Sequence, residues 1–247
     1  SEIKRQINNG AAFLDINVDE YSYKLDQQIT AMKWVVGIMK EFSDVPLSID
    51  SSNIDIIKEG LIEYNNLKRP LVNSLSLERV DLLDIIVEQN CKVVVSAASE
   101  SSMPESSDER ITNLSKIMDI SLLKGIKEED IFIDPLIFPI SVASNYGNDA
   151  LEAIKKIRNI WPKVNITGGM SNISFGLPKR RLINDVFIHL AIKNGANSGI
   201  INPIESKLDR IINMDQNKNQ YKITKNMLEG NDEFCTEYLT AYRENKL

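Results

Sequence analysis

Short runs dominated by apolar and β-branched residues recur along the chain. Each is followed by a longer stretch in which apolar residues return every three or four positions. The short runs are Ala11–Val18, Pro46–Ser51, Arg69–Leu75, Lys92–Ala98, Ile131–Leu136, Asn165–Ser171 and Ser198–Pro203. They start about 23 to 39 residues apart, room for a strand and a crossover helix. In Asp26–Phe42 the stripe is Ile29, Met32, Val35, Val36 and Met39, the spacing of a helix with one buried face. Asn148–Ile160 and Leu182–Asn194 keep the same period, and Gly195 closes the second as a helix C-cap. Repeated strand–helix units with nearly all-apolar strands predict a parallel sheet covered on both faces.

Seven such strands fall one short of a (β/α)8 TIM barrel, and a chain of 247 residues has that fold's usual size. Ser1–Gly10 reads as the tail of a helix that leads directly into the Ala11–Val18 strand. The strand belonging before that helix is absent, and we expect truncation there, because an open barrel would leave two unpaired edges. No Gly/Ser/Pro-rich linker divides the sequence, so residues 1–247 are expected to form one domain. The polar stretch Ser99–Glu109, after the Lys92–Ala98 strand, is read equally as a lid or as a solvated surface loop.

Composition narrows the function. Apolar residues make up 43% and charged residues 26%, ordinary for a soluble protein with a sizeable core. The 35 acidic against 29 basic residues give a net charge of −6, which disfavours non-specific nucleic-acid binding. The apolar runs are too short to span a bilayer, and no charged-then-apolar leader opens the chain, so a cytoplasmic protein is expected. Cys91 and Cys235 are too few for a disulfide framework or a Cys-rich zinc site. His189 is the sole histidine and reads as a packed or surface helix residue. The polar chemistry then falls to Asp, Asn, Ser and backbone.

Function in a barrel sits where the strands end. Those ends carry Asp15 and Asn17, Asp50, Asn73, Ser96, Asp134, Asn172 and Asn202. Any one of them alone is equally well read as a helix cap or turn former. Three Asp and several Asn converging on one rim are harder to explain structurally. Clustered carboxylates suit a divalent cation. They suit equally a nitrogen-rich heterocycle, whose ring N–H and exocyclic amine a carboxylate accepts as a pair while Asn both donates and accepts. The mixture of Asp with Asn favours the heterocycle slightly, and composition leaves both open.

Specific strings carry the reading further. Gly168–Arg180 is GGMSNISFGLPKR, with IDSSN at Ile49–Asn53, VNSLS at Val72–Ser76, IDPL at Ile133–Leu136 and LDIN at Leu14–Asn17. Together, from about residue 5 to residue 205, these resemble the pterin-binding methyltransferases that act on methyltetrahydrofolate and a corrinoid protein. The resemblance implies a (β/α)8 barrel and a homodimer. It implies that Asp50, Asn73 and Asp134 grip the pterin ring, with Asn172 beside N5, the atom that bears the methyl group. Gly168 and Gly169 would let backbone approach the flat ring, and Ser171 stands next to them in the same motif. Asp15, Asn17 and Ser96 are given supporting roles. Arg180, in the Lys179–Arg181 cluster, is read either as steering the folate's anionic tail or as a solvated charge. The implied substrates are tetrahydrofolate or its 5-methyl form and a corrinoid (cobalamin) carried by a partner protein, with no metal bound by this chain.

The sequence departs from the family at its missing first strand and at Ser102-Met103-Pro104, where Gly-Ile-Pro is usual. It carries no Asp-x-His-x-x-Gly corrinoid motif, which is why the corrinoid is expected on a separate protein. Three other readings compete, the weakest a metal-dependent aldolase or hydrolase using Asp15, Asp50 and Asp134, for which no motif matches. A dihydropteroate synthase would need a Ser-Arg-Lys signature near its end and an Asn-x-Thr-Pro-Asp loop near its start, and neither is present. A non-catalytic folate-binding or assembly module would keep the pocket without the chemistry.

Overall fold

The computed structural model describes residues 2–65, 68–99 and 103–247. In chain order the first elements are α1 (Glu2–Asn8), β1 (Leu14–Asn17), α2 (Leu25–Phe42), β2 (Leu47–Asp50), α3 (Ile54–Tyr64) and β3 (Leu71–Leu75). They are followed by α4 (Leu83–Glu88), β4 (Lys92–Ser96), α5 (Ser107–Leu123), β5 (Ile131–Asp134), α6 (Tyr146–Ile160), β6 (Asn165–Ile166) and α7 (Arg180–Lys193). The chain then runs through α8 (Leu208–Ile212), α9 (Asn219–Leu228) and α10 (Thr236–Arg243). The strands follow one another in chain order, β1 to β6, in a six-stranded sheet. No helix among the described residues is long and apolar enough to cross a membrane.

The chain separates into two compact units, Ser1–Met103 with Thr112–Ile133, and Pro104–Ile111 with Asp134–Leu247. In the first, β1 to β4 pair in parallel. Alternation decides what each strand face does: Leu14 and Ile16 are buried, while Asp15 and Asn17 stay open to water on the other face. The register sets Asn17 beside Asp50 and Asp50 beside Asn73, a row of three polar residues across three strands. Between β3 and β4 the register slips, Asn73 facing Val94 and Leu75 facing Val95, so Ser74 is bulged out. Leu47, Ile49, Val72, Val93 and Val95 form the buried strand layer, and Met32, Val36, Ile56, Ile57 and Leu61 the buried helix positions of this unit.

In the second unit the core comes from helices. α6 contributes Ala150, Ala153, Ile154 and Ile157, α7 contributes Ile183, Val186 and Phe187, and Met227 and Tyr238 come from α9 and α10. His189 is buried within α7, its Nδ1 2.8 Å from the Ile211 carbonyl oxygen and its ring edge-on to Tyr221, so it is a packing residue.

The predicted recurrence of strand and helix holds, with three corrections. The Asn165–Ser171 strand stops at Ile166, and from Met170 the chain turns into a 3-10 helix. The seventh strand, Ser198–Pro203, is reduced to a single parallel bridge between Gly169 and Ile200. Gly199 and Pro203 explain it, one weakening a ladder and the other unable to donate to it. The polar stretch Ser99–Glu109 is not all loop: Ser107, Asp108 and Glu109 form the acidic first turn of α5, where carboxylates suit the helix N-terminus. Residues 100–102 of that stretch lie outside the described residues.

Candidate functional site

In the first unit the site grows from the polar face of β1 and the ends of β2 and β3. Asn17 donates its side-chain N–H to Asp50 Oδ2 at 3.0 Å, and its own Oδ1 accepts the Asp19 N–H at 2.8 Å. Asn73 reaches Asp15 Oδ1 at 3.5 Å. Asp15 and Asp50 lie close enough to hydrogen-bond each other. Water reaches both, yet protein surrounds them, and that burial raises the Asp15 carboxyl above the usual range. Burial and then the negative charge of Asp15 push Asp50 to about 7. Near neutrality such a pair holds one proton between two carboxyls, so one oxygen donates while the others accept.

The turns beyond these strands are built by side chains too. Asp19 accepts the Ser51 hydroxyl at 2.5 Å and the Ser52 N–H at 2.8 Å. Those bonds hold Asp19 below the usual carboxylate range against its desolvation. Arg79 donates to the Ser51 carbonyl and to the Ser74 hydroxyl, both at 2.9 Å. Ser96, by contrast, is buried and turned inward on its own strand end, its hydroxyl accepting the Ala98 N–H at 3.3 Å.

In the second unit Asp134 ends β5 and accepts the Leu136 N–H at 2.8 Å. Burial raises it to about 6, against the lowering pull of that N–H and of the Arg110 charge. Gly168 has a φ of +142°, and a Cβ there would lie 2.8 Å from Asp134 Oδ1, so only glycine lets the carboxylate meet the main chain so closely. The next residues, Met170–Ser174, form one 3-10 turn with Asn172 on its exposed side. The Asn172 N–H bonds the Gly169 carbonyl at 3.0 Å, and its side-chain amide lies over Gly169, where a Cβ would come within 2.9 Å of Nδ2. Ser171 is exposed beside it. Arg180 is engaged within this loop, bonding the Ser174 hydroxyl at 3.0 Å and the Ser171 carbonyl at 3.1 Å while its guanidinium stacks on Phe175.

The structure therefore brings Asp15, Asn17, Asp50 and Asn73 together in one unit. It brings Asp134, Gly168, Gly169, Ser171, Asn172 and Arg180 into the other. Asp19, Arg79 and Arg110 escape a reading of the sequence. Each is an isolated charge whose partners are distant or backbone, although the IDSSN and VNSLS serines mark the turns that two of them hold. No group of three or more His, Cys, Asp or Glu side chains among the described residues is arranged to hold a metal ion.

The strand ends of this α/β sheet present paired carboxylates and amides, hydrogen-bond acceptors and donors side by side. Residues 1–202 match the pterin binding enzyme family, and the chain belongs to it. It is 27% identical to a methylcorrinoid:tetrahydrofolate methyltransferase of Eubacterium limosum over 98% of this chain and 86% of that protein. It is 28% identical to a methionine synthase of Mycobacterium leprae over 80% of this chain but only 17% of that much longer protein. Among solved structures, a Xanthomonas albilineans dihydropteroate synthase in complex with 7,8-dihydropteroate superposes with a TM-score of 0.68 at 16% identity, covering 85% of this chain and 80% of that one. Yersinia pestis dihydropteroate synthase with a pterine–sulfa conjugate gives a TM-score of 0.67, also at 16% identity, over 85% and 84% of the two chains. That likeness shows the fold, a (β/α)8 barrel, in agreement with the strand–helix recurrence of the sequence.

Proposed function

We propose that this protein is a methyltransferase that moves a methyl group between N5 of tetrahydrofolate and the cobalt of a corrinoid carried by a separate protein. The observation that carries the reading is the in-register row of Asn17, Asp50 and Asn73, with Asp15 bonded into it. The Eubacterium limosum relative, aligned over nearly the whole chain, supports methyl transfer as the reaction. In this reading residues 1–247 act as one barrel domain, as a cytoplasmic homodimer, and bind no metal of their own.

Asp50, Asn73 and Asp134 would take the pterin ring, ionised carboxylates accepting its ring N–H groups and 2-amine while Asn73 donates and accepts. Gly168 and Gly169 would let backbone lie against the ring. A tertiary amine is a poor leaving group, so N5 must carry positive character before the methyl leaves. Asn172 cannot act as an acid near neutrality, but its carbonyl oxygen can accept from N5–H⁺, and that bond strengthens as the charge develops. The corrinoid supplies the nucleophilic cobalt. What falls to this chain is to hold the pterin and keep the proton on N5.

Calorimetric titration of methyltetrahydrofolate, without added metal, into this protein and into Asp134→Asn tests the reading. Binding that the substitution weakens is the expected result, followed by methyl transfer to a corrinoid protein. A folded protein that does not take up methyltetrahydrofolate would overturn it.

A further inference from the structure

We propose that Arg79, Arg110 and Arg180 are positioning residues, each fixing a turn next to a candidate pterin-binding side chain instead of touching the ligand. The inference rests on the pterin reading above and adds residues to it.

The geometry repeats three times. Arg79 straddles two strand ends: Nη1 donates to the carbonyl of Ser51, the residue after Asp50, and Nη2 to the hydroxyl of Ser74, the residue after Asn73, each at 2.9 Å. Ser74 is also the bulged residue where the β3–β4 register slips, so this bond holds in place the irregularity that aims Asn73. Nε completes the set with Ser76 Oγ at 3.4 Å. Arg110 is fully buried and donates to Pro135 O at 2.7 Å and Leu136 O at 3.3 Å, the two residues after Asp134, with its guanidinium 5.2 Å from the Phe138 ring. Leu136 has a φ of +65°, a left-handed conformation that a non-glycine residue keeps only where its surroundings impose it. Arg180 bonds the carbonyl of Ser171, the residue before Asn172, and the hydroxyl that ends the same turn.

In all three cases the partners are carbonyl and hydroxyl oxygens, whereas Arg69 and Arg210 pair with the carboxylates of Asp130 and Asp185. A buried cation is costly to desolvate, and burial pulls Arg79 and Arg110 below their usual range. What the cost supports is a planar fork of donors that holds two oxygens at a fixed separation, which a lysine ammonium cannot reproduce. The three guanidiniums also leave the carboxylates of Asp50 and Asp134 free of a direct arginine bond. An arginine paired to either would compete with the pterin N–H groups.

Arg158 supplies an internal control. It too clamps carbonyls, those of Pro162 and Val164 in the turn before β6 and that of Gly195 just after α7, none of them next to a candidate site residue. Methyltetrahydrofolate is titrated calorimetrically into the full chain and into Arg79→Lys, Arg180→Lys, Arg110→Lys and Arg158→Lys, at a temperature below every melting transition. Arg79→Lys and Arg180→Lys are expected to weaken binding by about 10- to 100-fold. Arg158→Lys should lower the melting temperature and leave affinity within about twofold of the parent. Arg110→Lys is the variant most at risk of not folding; Arg79 and Arg180 are less buried, so they carry the test on their own. If the parent binds and both of these lysine variants bind as tightly, the positioning role is overturned while the pterin reading stands. If the parent itself does not bind, the pterin reading falls and takes the inference with it.

Discussion

Asn17 donates to Asp50 across the β1–β2 register at 3.0 Å, and it is the one bond in the cluster that favours the ionised form of Asp50. Removing it in Asn17→Ala should raise the Asp50 carboxyl further above about 7. At pH 7 more of it is then protonated and unable to accept from a pterin N–H. Folate affinity should fall about tenfold at pH 7, the worth of one charge-assisted bond, and recover by about pH 9. Calorimetry at the two pH values decides it. An equal loss at both would mean that Asn17 does not act through the ionisation of Asp50.

The raised carboxyls also make stability depend on pH in the sense opposite to most aspartates. Asp50 titrates near 7 in the folded chain against an ordinary 3.8, so between those values the folded state holds a proton that the unfolded state releases. Stability is therefore greatest on the acid side of that window and declines as pH rises towards about 7. Asp50→Asn keeps a neutral side chain throughout. Its melting temperature should exceed the parent's at pH 8, by less at pH 5, and converge with it only towards pH 4, each kcal/mol appearing as about 2–4 °C in a chain of this size. Thermal melts of both proteins across that range suffice, and a constant offset at every pH would refute the assignment.

Gly168 gives a third test. At a φ of +142°, with a Cβ only 2.8 Å from Asp134 Oδ1, Gly168→Ala meets both a backbone penalty and a clash with a side chain that is itself held by the Leu136 N–H. We expect a loss of about 1–3 kcal/mol in stability. We also expect a larger proportional loss of folate affinity than Gly169→Ala causes. At Gly169 the φ is negative and the Cβ would meet the movable Asn172 amide. Denaturant unfolding and binding of the two variants compare them directly.

Much of this was legible in the chain and some was not, and the division is physical. Alternation in LDIN and the apolar run before Asp50 placed Asp15, Asn17 and Asp50 on strand ends, because period and burial are local properties. Helix α2 followed from its stripe to within a residue. The Ser198–Pro203 strand failed because a run of suitable length still contains Gly199 and Pro203, and only the Gly169–Ile200 bridge formed. Ser96 looked like its neighbours on the rim, yet its hydroxyl is taken by its own turn. Arg79 and Arg110 were invisible because their meaning lies in contacts up to 28 residues away, with backbone atoms that no residue type announces.

Asn172 bears the sharpest prediction about chemistry. Its main chain is fixed by the Gly169 carbonyl and by the Phe175 N–H, and the turn is backed by Arg180, so truncating the side chain should leave the loop in place. The amide itself is exposed and lies over Gly169, available to a ligand. In the ground state methyltetrahydrofolate carries no charge at N5, so Asn172 contributes little to holding it. Before the methyl can leave, N5 must take up a proton, and a carbonyl oxygen beside the resulting N5–H⁺ is worth far more than one beside the neutral amine. Asn172→Ala should therefore slow methyl transfer by about 100-fold while weakening folate binding only a few-fold. Single-turnover transfer to a corrinoid protein, set beside a calorimetric Kd for the same variant, separates the two. Equal losses in rate and affinity would mark Asn172 as a uniform binding residue, with no special part in the transition state.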